Sequence, residues 1–159
     1  MLLAVLTVSD RCSQGLFTDT AGPAVVDLLR RKFPEAEIAT GLAPDEETLI
    51  TSALEEFCNR GAALALTVGG TGFGPRDCTP EATLRVVDRE APGLAEAMRS
   101  RGAERNPMAW LARGIAGLKG KTLIVNLPGS ERGAVESLES ILDLLKHGME
   151  IAAGGQRHP

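Results

Sequence analysis

The sequence lacks the excess of basic residues that a broad nucleic-acid-binding surface requires. It has 17 Lys and Arg against 21 Asp and Glu among 159 residues, a net charge of −4. This acidic balance argues against a nucleic-acid partner. A local pocket for an anion remains compatible with it, because net charge describes the whole surface and not one cleft.

Long apolar runs are also missing. No segment approaches the ~18 consecutive apolar residues of a membrane span. The opening "MLLAVLTV" is apolar, but it has no basic stretch before it, and Ser9, Asp10 and Arg11 follow at once. This pattern predicts a buried strand and not a signal peptide. We therefore expect no membrane partner.

Cysteine is scarce and shows no metal-binding spacing. Cys12, Cys58 and Cys78 form no C-x-x-C pair, and the two histidines lie far from them in the sequence. These spacings argue against a zinc site. Reduced thiols fit a cytoplasmic protein, which is the expected location.

Hydrophobic patterning predicts strands that alternate with helices along the chain. With 43% hydrophobic and 24% charged residues, the composition is that of an ordinary globular protein, expected to be one domain over 1–159. Alternation of this kind predicts an α/β fold of three layers, with helices on both faces of a mostly parallel sheet. The expected strands cover 2–8, 36–42, 62–68 and 122–127, and the expected helices 19–32, 43–61, 79–87, 93–101, 107–113 and a long one from Ser130.

Helix details follow from the same patterns. In the second helix the expected buried stripe is Leu49, Ala53, Leu54 and Phe57. Thr79 is expected to cap the third helix, with Pro80 at its first position. The tail 154–159 is expected to be frayed.

Three of the predicted strands end in unusual polar turns. These turns are "SDRCSQG", "GGTGFGPRDCTP" and "NLPGS". In an open parallel sheet they would meet at the carboxyl edge, where ligands bind. This clustering predicts one shared pocket.

Familiar fingerprints of nucleotide binding and nucleophilic catalysis are absent. "GKT" at Gly120 lacks the upstream glycine of a P-loop, and Pro75 replaces the third glycine of a dinucleotide motif. No G-x-S-x-G nucleophile elbow occurs. The glycine-rich turn is thus a phosphate-binding loop of another kind, or only a long turn.

Two carboxylates give the turn a possible chemistry. Gly69, Gly70 and Gly72 allow close approach of a ligand to main-chain N–H groups, and Asp77 follows them. A carboxylate beside a phosphate needs a cation between them, and Mg²⁺ suits one or two carboxylates, with Asp45 as the second. Alternatively, both aspartates only place charge at helix N-termini, and for each residue taken alone that simpler interpretation is favoured.

Other candidates are open to the same two interpretations. Arg11 and Arg76 are possible phosphate partners or solvated loop charges. The turn of Pro128 and Gly129 is a ligand-binding turn or a plain strand-to-helix connection, and Ser130 is a ligand contact or an N-cap.

Several segments together resemble a known family. "VLTVSDRCSQGLFTDTAGP", "APDEETL", "TVGGTGFGPRDCTPEAT" and "LIVNLPGS" resemble, in that order, the molybdenum-cofactor biosynthesis family of MogA and MoaB. The G domains of gephyrin and its plant counterpart belong to the same group. The likeness runs from about residue 3 to residue 147.

This resemblance implies a molybdopterin-binding fold and molybdopterin adenylyltransferase activity. AMP would pass from ATP to the phosphate of molybdopterin with Mg²⁺, releasing pyrophosphate. It also implies a homotrimer or a hexamer, and a product that a molybdate-insertion protein uses. The implied catalytic and metal-binding residues are Asp45 and Asp77. The candidate residues for binding substrate are Ser9, Asp10, Arg11, Ser13, Gly69, Gly70, Thr71, Gly72, Arg76, Thr79, Glu81, Asn126, Leu127, Pro128, Gly129 and Ser130.

The chain departs from the family pattern at two places. Ala112 stands where members often have serine, and Glu131-Arg132 where they often have Pro-Lys. These departures are the sequence support for an alternative function, that of a molybdopterin carrier or scaffold without adenylyltransferase activity.

Overall fold

A six-stranded sheet forms the centre of the molecule. The computed structural model describes residues 1–155. The strands are β1 (Leu2–Val8), β2 (Glu37–Ala43), β3 (Leu64–Val68), β4 (Arg89–Glu90), β5 (Ala116–Lys119) and β6 (Thr122–Leu127). Their order is β2-β1-β3-β6-β5-β4. The first four strands of this order are parallel, while β5 and β4 run antiparallel to their neighbours.

Helices connect the strands and cover both faces of the sheet. They are α1 (Asp10–Ser13), α2 (Ala21–Lys32), α3 (Glu47–Asn59), α4 (Thr79–Val86), α5 (Pro92–Ala103) and α6 (Glu131–Ala152), with a 3₁₀ helix at Pro107–Leu111. Within residues 1–155, none of them combines the length and apolarity needed to cross a membrane.

Two hydrophobic clusters bury the two faces. One joins the sheet to α2, α5 and α6, and the other joins it to α3 and α4. Strands β1, β3 and β6 have nearly every residue buried, as strands covered on both faces must. The structure thus confirms the predicted three-layer α/β/α fold.

The parallel pairing brings the polar turns together. Strand β3 lies between β1 and β6, so the turns that follow these three strands leave the sheet at one edge. Strand β2 pairs with the other side of β1, which carries the segment after Ala43 to the same edge.

Several predictions of local structure were wrong. The hairpin of β4 and β5 was not predicted, nor was α1, because two- to four-residue elements carry little periodic signal. Leu54 and Phe57 of the predicted α3 stripe are buried, but Leu49 is 46% exposed and its neighbour Ile50 is buried instead. Helix α3 begins at Glu47, after Asp45. Thr79 does not cap α4, since its hydroxyl donates to the carbonyl of Gly69 (2.9 Å).

The end of the chain is described only in part. The main-chain N–H groups of Gly154 and Gly155 donate to Ile151 and Glu150, so these two residues remain hydrogen-bonded to α6. The rest of the tail predicted to fray, 156–159, lies outside the described residues.

Candidate functional site

A polar cleft of about 480 Å³ lies at the edge where the polar turns meet. It is lined by Thr7, Val8, Ser9, Asp10, Arg11, Cys12, Phe17, Thr18, Asp19, Thr20, Ala21, Asp45, Val68, Gly69, Gly70, Asp77, Gly129 and Ser130. All three turns singled out in the sequence, and the segment after β2, contribute to it. The cleft therefore lies where an open α/β sheet is expected to bind a ligand.

Asp10 and Asp45 hold each other through their main chains. The N–H of Asp10 donates to Oδ2 of Asp45 (2.9 Å), and the N–H of Asp45 donates to Oδ1 of Asp10 (3.0 Å). Ser9 caps α1 by accepting from the N–H of Cys12 (3.2 Å). These bonds join the ends of β1 and β2 and fix the direction of both carboxylates.

Asp45 is the unusual carboxylate of the site. Its Oδ1 is buried, and it is the one buried side-chain polar atom in residues 1–155 that lacks a hydrogen-bond partner. Burial, together with the nearby charges of Asp10 and Asp77, raises the pKa of Asp45 above its ordinary value. Because a buried, unpaired charge is costly, this oxygen is poised to receive a cation or a strong donor.

Asp10 has the opposite environment. Arg76 donates to both of its oxygens, from Nε to Oδ2 at 2.9 Å and from Nη2 to Oδ1 at 3.1 Å. These bonds, with the one from the N–H of Asp45, lower the pKa of Asp10. Two neighbouring carboxylates thus differ in role, because one is neutralised by an arginine and the other is not.

The glycine loop lies against these carboxylates. Gly69 and Gly70 have φ of +107° and +66°. A Cβ on Gly69 would lie 2.3 Å from the carbonyl oxygen of Val8, and one on Gly70 would lie 2.2 Å from Oγ1 of Thr79 and 2.9 Å from Oδ1 of Asp45. Glycine is required here by both backbone conformation and space.

Asp77 closes the loop from the other side. Its Oδ2 accepts from the N–H of Gly74 (3.0 Å) and would lie 2.9 Å from a Cβ on Gly72. Helix α4 has Cys78 and not Asp77 at its N-cap position. Neither Asp77 nor Asp45 caps a helix, but each lies two residues before a helix start, so the simpler interpretation, negative charge near a helix N-terminus, still describes their positions.

Arg113 anchors the loop from outside the cleft, and the sequence analysis missed it. Its Nε donates to the carbonyl of Gly72 and its Nη2 to that of Asp77, both at 2.8 Å. Its N–H donates to Thr71, and its guanidinium pairs with Glu81, which raises the pKa of Arg113. Arg113 directly follows Ala112 in the sequence, but nothing local indicates which loop it contacts.

The third turn approaches the glycine loop directly. A Cβ on Gly129 would lie 3.2 Å from the Cα of Gly69. Ser130 lines the cleft and caps α6 by accepting from the N–H of Gly133 (3.2 Å), as predicted for an N-cap. The "NLPGS" turn therefore forms a wall of the cleft while it starts a helix.

Half of the sequence candidates do not line the cleft. Asn126 is buried, with its amide bonded to Thr67 and Thr83 and its oxygen accepting from Ile115. Leu127 lies in the core. The full set outside the lining is Ser13, Thr71, Gly72, Arg76, Thr79, Glu81, Asn126, Leu127 and Pro128. Of this set, Thr79 and Arg76 bond directly to residues of the lining, Gly69 and Asp10.

The segment 17–21 lines the cleft although no residue in it was singled out. Asp19 accepts from Oγ1 of Thr7 (2.6 Å) and from the N–H of Gly22 (2.9 Å), which fixes the start of α2. The polar "TDTAG" ahead of an apolar helical pattern was a visible sign of this turn.

The two departures from the family pattern lie away from the cleft lining. Ala112 borders a separate small cavity of about 40 Å³ behind the loop. Arg132 is exposed and pairs with Glu136 (2.9 Å) on the first turns of α6.

The described residues of the cleft would supply at most two side-chain ligands to a metal ion. Among residues 1–155, no three His, Cys, Asp or Glu side chains are arranged to hold a metal ion. An ion at this site would need ligand oxygens from a bound substrate, as Mg²⁺ commonly uses.

A mostly parallel sheet with a glycine loop and a polar cleft at its carboxyl edge is the arrangement in which open α/β proteins bind ligands. The family model described as "Probable molybdopterin binding domain" matches residues 4–147. The chain belongs to this family.

Individual relatives agree with that assignment. The molybdopterin adenylyltransferase of Haemophilus influenzae is 38% identical over 154 residues, 96% of this chain and 77% of the relative. The crystal structure of the molybdopterin biosynthesis enzyme MoaB from Thermus thermophilus is 48% identical with a TM-score of 0.90, covering 96% of each chain. The predicted resemblance to MogA and MoaB is thus confirmed.

Some relatives are much longer. The molybdenum cofactor synthesis protein cinnamon of Drosophila melanogaster is 38% identical over 148 residues, which are 92% of this chain. The chain spans only 25% of the length of cinnamon.

Proposed function

We propose that this chain is a molybdopterin adenylyltransferase. An oxygen of the molybdopterin phosphate attacks the α-phosphorus of ATP, the bond from that phosphorus to the bridging oxygen breaks, and pyrophosphate leaves. The observation that carries the proposal is the buried, unpartnered Oδ1 of Asp45 beside the glycine loop. The relatives named as adenylyltransferases support the choice of reaction.

The reaction brings two anions together, so charge is its main obstacle. A carboxylate with a free buried oxygen is unfavourable in such a site unless a cation accompanies the phosphates. Asp45 and Asp77 have the hard oxygen ligands that Mg²⁺ prefers, and they would hold it. When bound, the ion would neutralise charge on the reacting phosphates.

Other residues of the cleft would position the two substrates. The N–H of Gly69 is already bonded to the carbonyl of Leu127 (3.1 Å), so Gly70 is the glycine of the lining whose N–H would meet a phosphate, and Ser130 adds a hydroxyl to the lining. Arg76 keeps Asp10 neutralised, so that Asp45 carries the charge available to a cation. Holding two substrates in this way removes much of the entropic cost of their encounter.

The cellular setting is part of the proposal. We propose that the chain acts in the cytoplasm as one domain, assembled as a homotrimer or hexamer, and passes its product to a molybdate-insertion protein. Exposed apolar side chains on the 3₁₀ helix, Met108, Trp110 and Leu111, support self-association.

A product assay tests this function. Purified protein with ATP, Mg²⁺ and molybdopterin should form adenylylated molybdopterin and one pyrophosphate per AMP transferred. Without molybdopterin, no pyrophosphate should appear. If the protein binds molybdopterin but neither binds ATP nor forms product, the chain is a carrier and the proposal fails.

A further inference from the structure

Phe17 is an exposed aromatic side chain in an otherwise polar cleft. Aromatic residues make up only 3% of the sequence, and within residues 1–155 Phe17 is the one that lines the cleft. Its side chain is 57% exposed. Val8 and Val68 of the lining are buried in the sheet, and Ala21 is buried at the start of α2. Phe17 therefore places a largely exposed aromatic ring at the cleft.

The ring is held in place by Arg11. The guanidinium of Arg11 lies 4.8 Å from the ring centroid of Phe17, which is a cation–π contact. The N–H groups of Leu16 and Phe17 both donate to the carbonyl of Arg11, at 2.9 and 3.2 Å. Gly15, with φ of +73°, makes the turn that returns the chain to Arg11.

We propose that Phe17, supported by Arg11, is the surface on which the planar nitrogen heterocycle of a bound substrate stacks. This inference rests on the proposed function, whose two substrates both carry such a ring, adenine in ATP and pterin in molybdopterin. Every base has a π face, so stacking on Phe17 selects a flat ring without reading its hydrogen-bonding edge.

The cleft has one part suited to phosphates and another suited to a ring. The carboxylates of Asp45 and Asp77 and the glycine loop form the part suited to phosphates and a cation. Arg11, a phosphate partner or a solvated charge on the sequence evidence, lines the cleft with its guanidinium against Phe17. The segment 11–17 thus offers a flat surface in place of an isolated charge.

Binding measurements with three ligands test the stacking. Phe17→Leu keeps an apolar side chain but removes the ring. Dissociation constants for ATP, molybdopterin and inorganic tripolyphosphate are measured by equilibrium dialysis. Affinity for the stacked substrate should fall about tenfold, while tripolyphosphate, which has no ring, should bind as before. Loss for ATP assigns adenine to Phe17, and loss for molybdopterin assigns pterin.

Further variants separate stacking from other effects. Phe17→Tyr should restore the affinity. Phe33→Leu, which removes the ring of another cation–π pair, with Lys146 at 5.5 Å and outside the cleft, should change none of the three constants. Unchanged binding of both ring-bearing ligands by Phe17→Leu, or an equal loss for tripolyphosphate, overturns the inference. Because these are binding constants, they test Phe17 even if wild-type protein transfers no AMP.

Discussion

Asp10 and Asp45 exchange hydrogen bonds, each through its main-chain N–H to a carboxylate oxygen of the other, at 2.9 and 3.0 Å. The pair is symmetric in these bonds but not in charge. Arg76 neutralises Asp10, whereas Oδ1 of Asp45 is buried without a partner. The fold thus keeps one carboxylate in a costly state at the base of the cleft, a common sign that a residue serves function and not stability.

Replacing Asp45 with Asn should separate stability from activity. The amide oxygen can still accept from the N–H of Asp10, while the unpaired charge is lost. We expect the free energy of unfolding at pH 7 to rise by about 1 kcal/mol and AMP transfer to fall about 100-fold. Urea denaturation and the product assay measure the two effects. A variant that is less stable yet fully active would show that Asp45 is structural.

The raised pKa of Asp45 predicts a pH dependence of activity. If the ionised form is required, the acidic limb of kcat/KM should lie at higher pH than for an ordinary aspartate. Adding Mg²⁺ should move that limb to lower pH, since a cation favours the carboxylate. A limb at the ordinary position that does not respond to Mg²⁺ would contradict this role.

The same pKa also affects stability. The pKa of Asp45 is higher in the folded state than in the unfolded state. At pH values between these two, the folded state binds more protons, so the contribution of Asp45 to the free energy of unfolding falls as pH rises. The pKa of Asp10 is lowered in the folded state, so the contribution of Asp10 to stability is lost as pH falls. Unfolding free energies of wild type and Asp45→Asn should therefore converge in acid and diverge towards pH ~7. A constant difference at all pH values would argue against the assigned direction.

Arg113 should matter through the loop it anchors. Arg113→Met leaves the carbonyls of Gly72 and Asp77 without their donor, and we expect a loss of ~2 kcal/mol in stability and about tenfold in kcat. Arg132→Met, which removes only an exposed ion pair with Glu136, should change stability by less than ~0.5 kcal/mol. Equal effects of the two substitutions, in denaturation and in turnover, would remove Arg113 from the site.

Gly70 tests the close approach at the loop. Gly70→Ala combines a positive φ with a Cβ that would lie 2.2 Å from Oγ1 of Thr79, so a loss of about 3 kcal/mol in unfolding free energy is expected. The control is Gly120→Ala, which has a positive φ but no atom within 4 Å of the added Cβ. It should lose only ~1 kcal/mol. Similar losses of unfolding free energy in the two variants would mean that the glycine loop can move to make room for the added Cβ.

The sequence predicts the strands and helices of this molecule better than it predicts the contacts between side chains. Strands β1, β3 and β6 are mostly apolar, and the polar turns that follow them indicate the sheet edge where the cleft lies. Elements of two to four residues, such as β4, have too few positions to show a period. The one-residue error between Leu49 and Ile50 shows how closely two helical stripes can resemble each other.

The site also has residues that the sequence predicts and residues that it does not. Asp45 and Asp77 are visible because they follow predicted strands and glycines. The roles of Arg113 and Arg76 are not visible, because their partners lie 36 and 66 positions away in the sequence. Phe17 was hidden for another reason, since an apolar residue in a polar turn gives no sign that it faces a cleft.

In the proposed function, the carboxylates of this cleft serve AMP transfer to molybdopterin. The most direct measurement follows α-phosphorus label from ATP into molybdopterin for wild type, Asp77→Asn and Asp88→Asn. Asp88 is an exposed aspartate outside the cleft that bonds to Lys119 and Gly120. We predict labelled product from wild type and Asp88→Asn and about 100-fold less from Asp77→Asn. Folded wild-type protein that transfers no label, or equal transfer by all three proteins, would contradict the account.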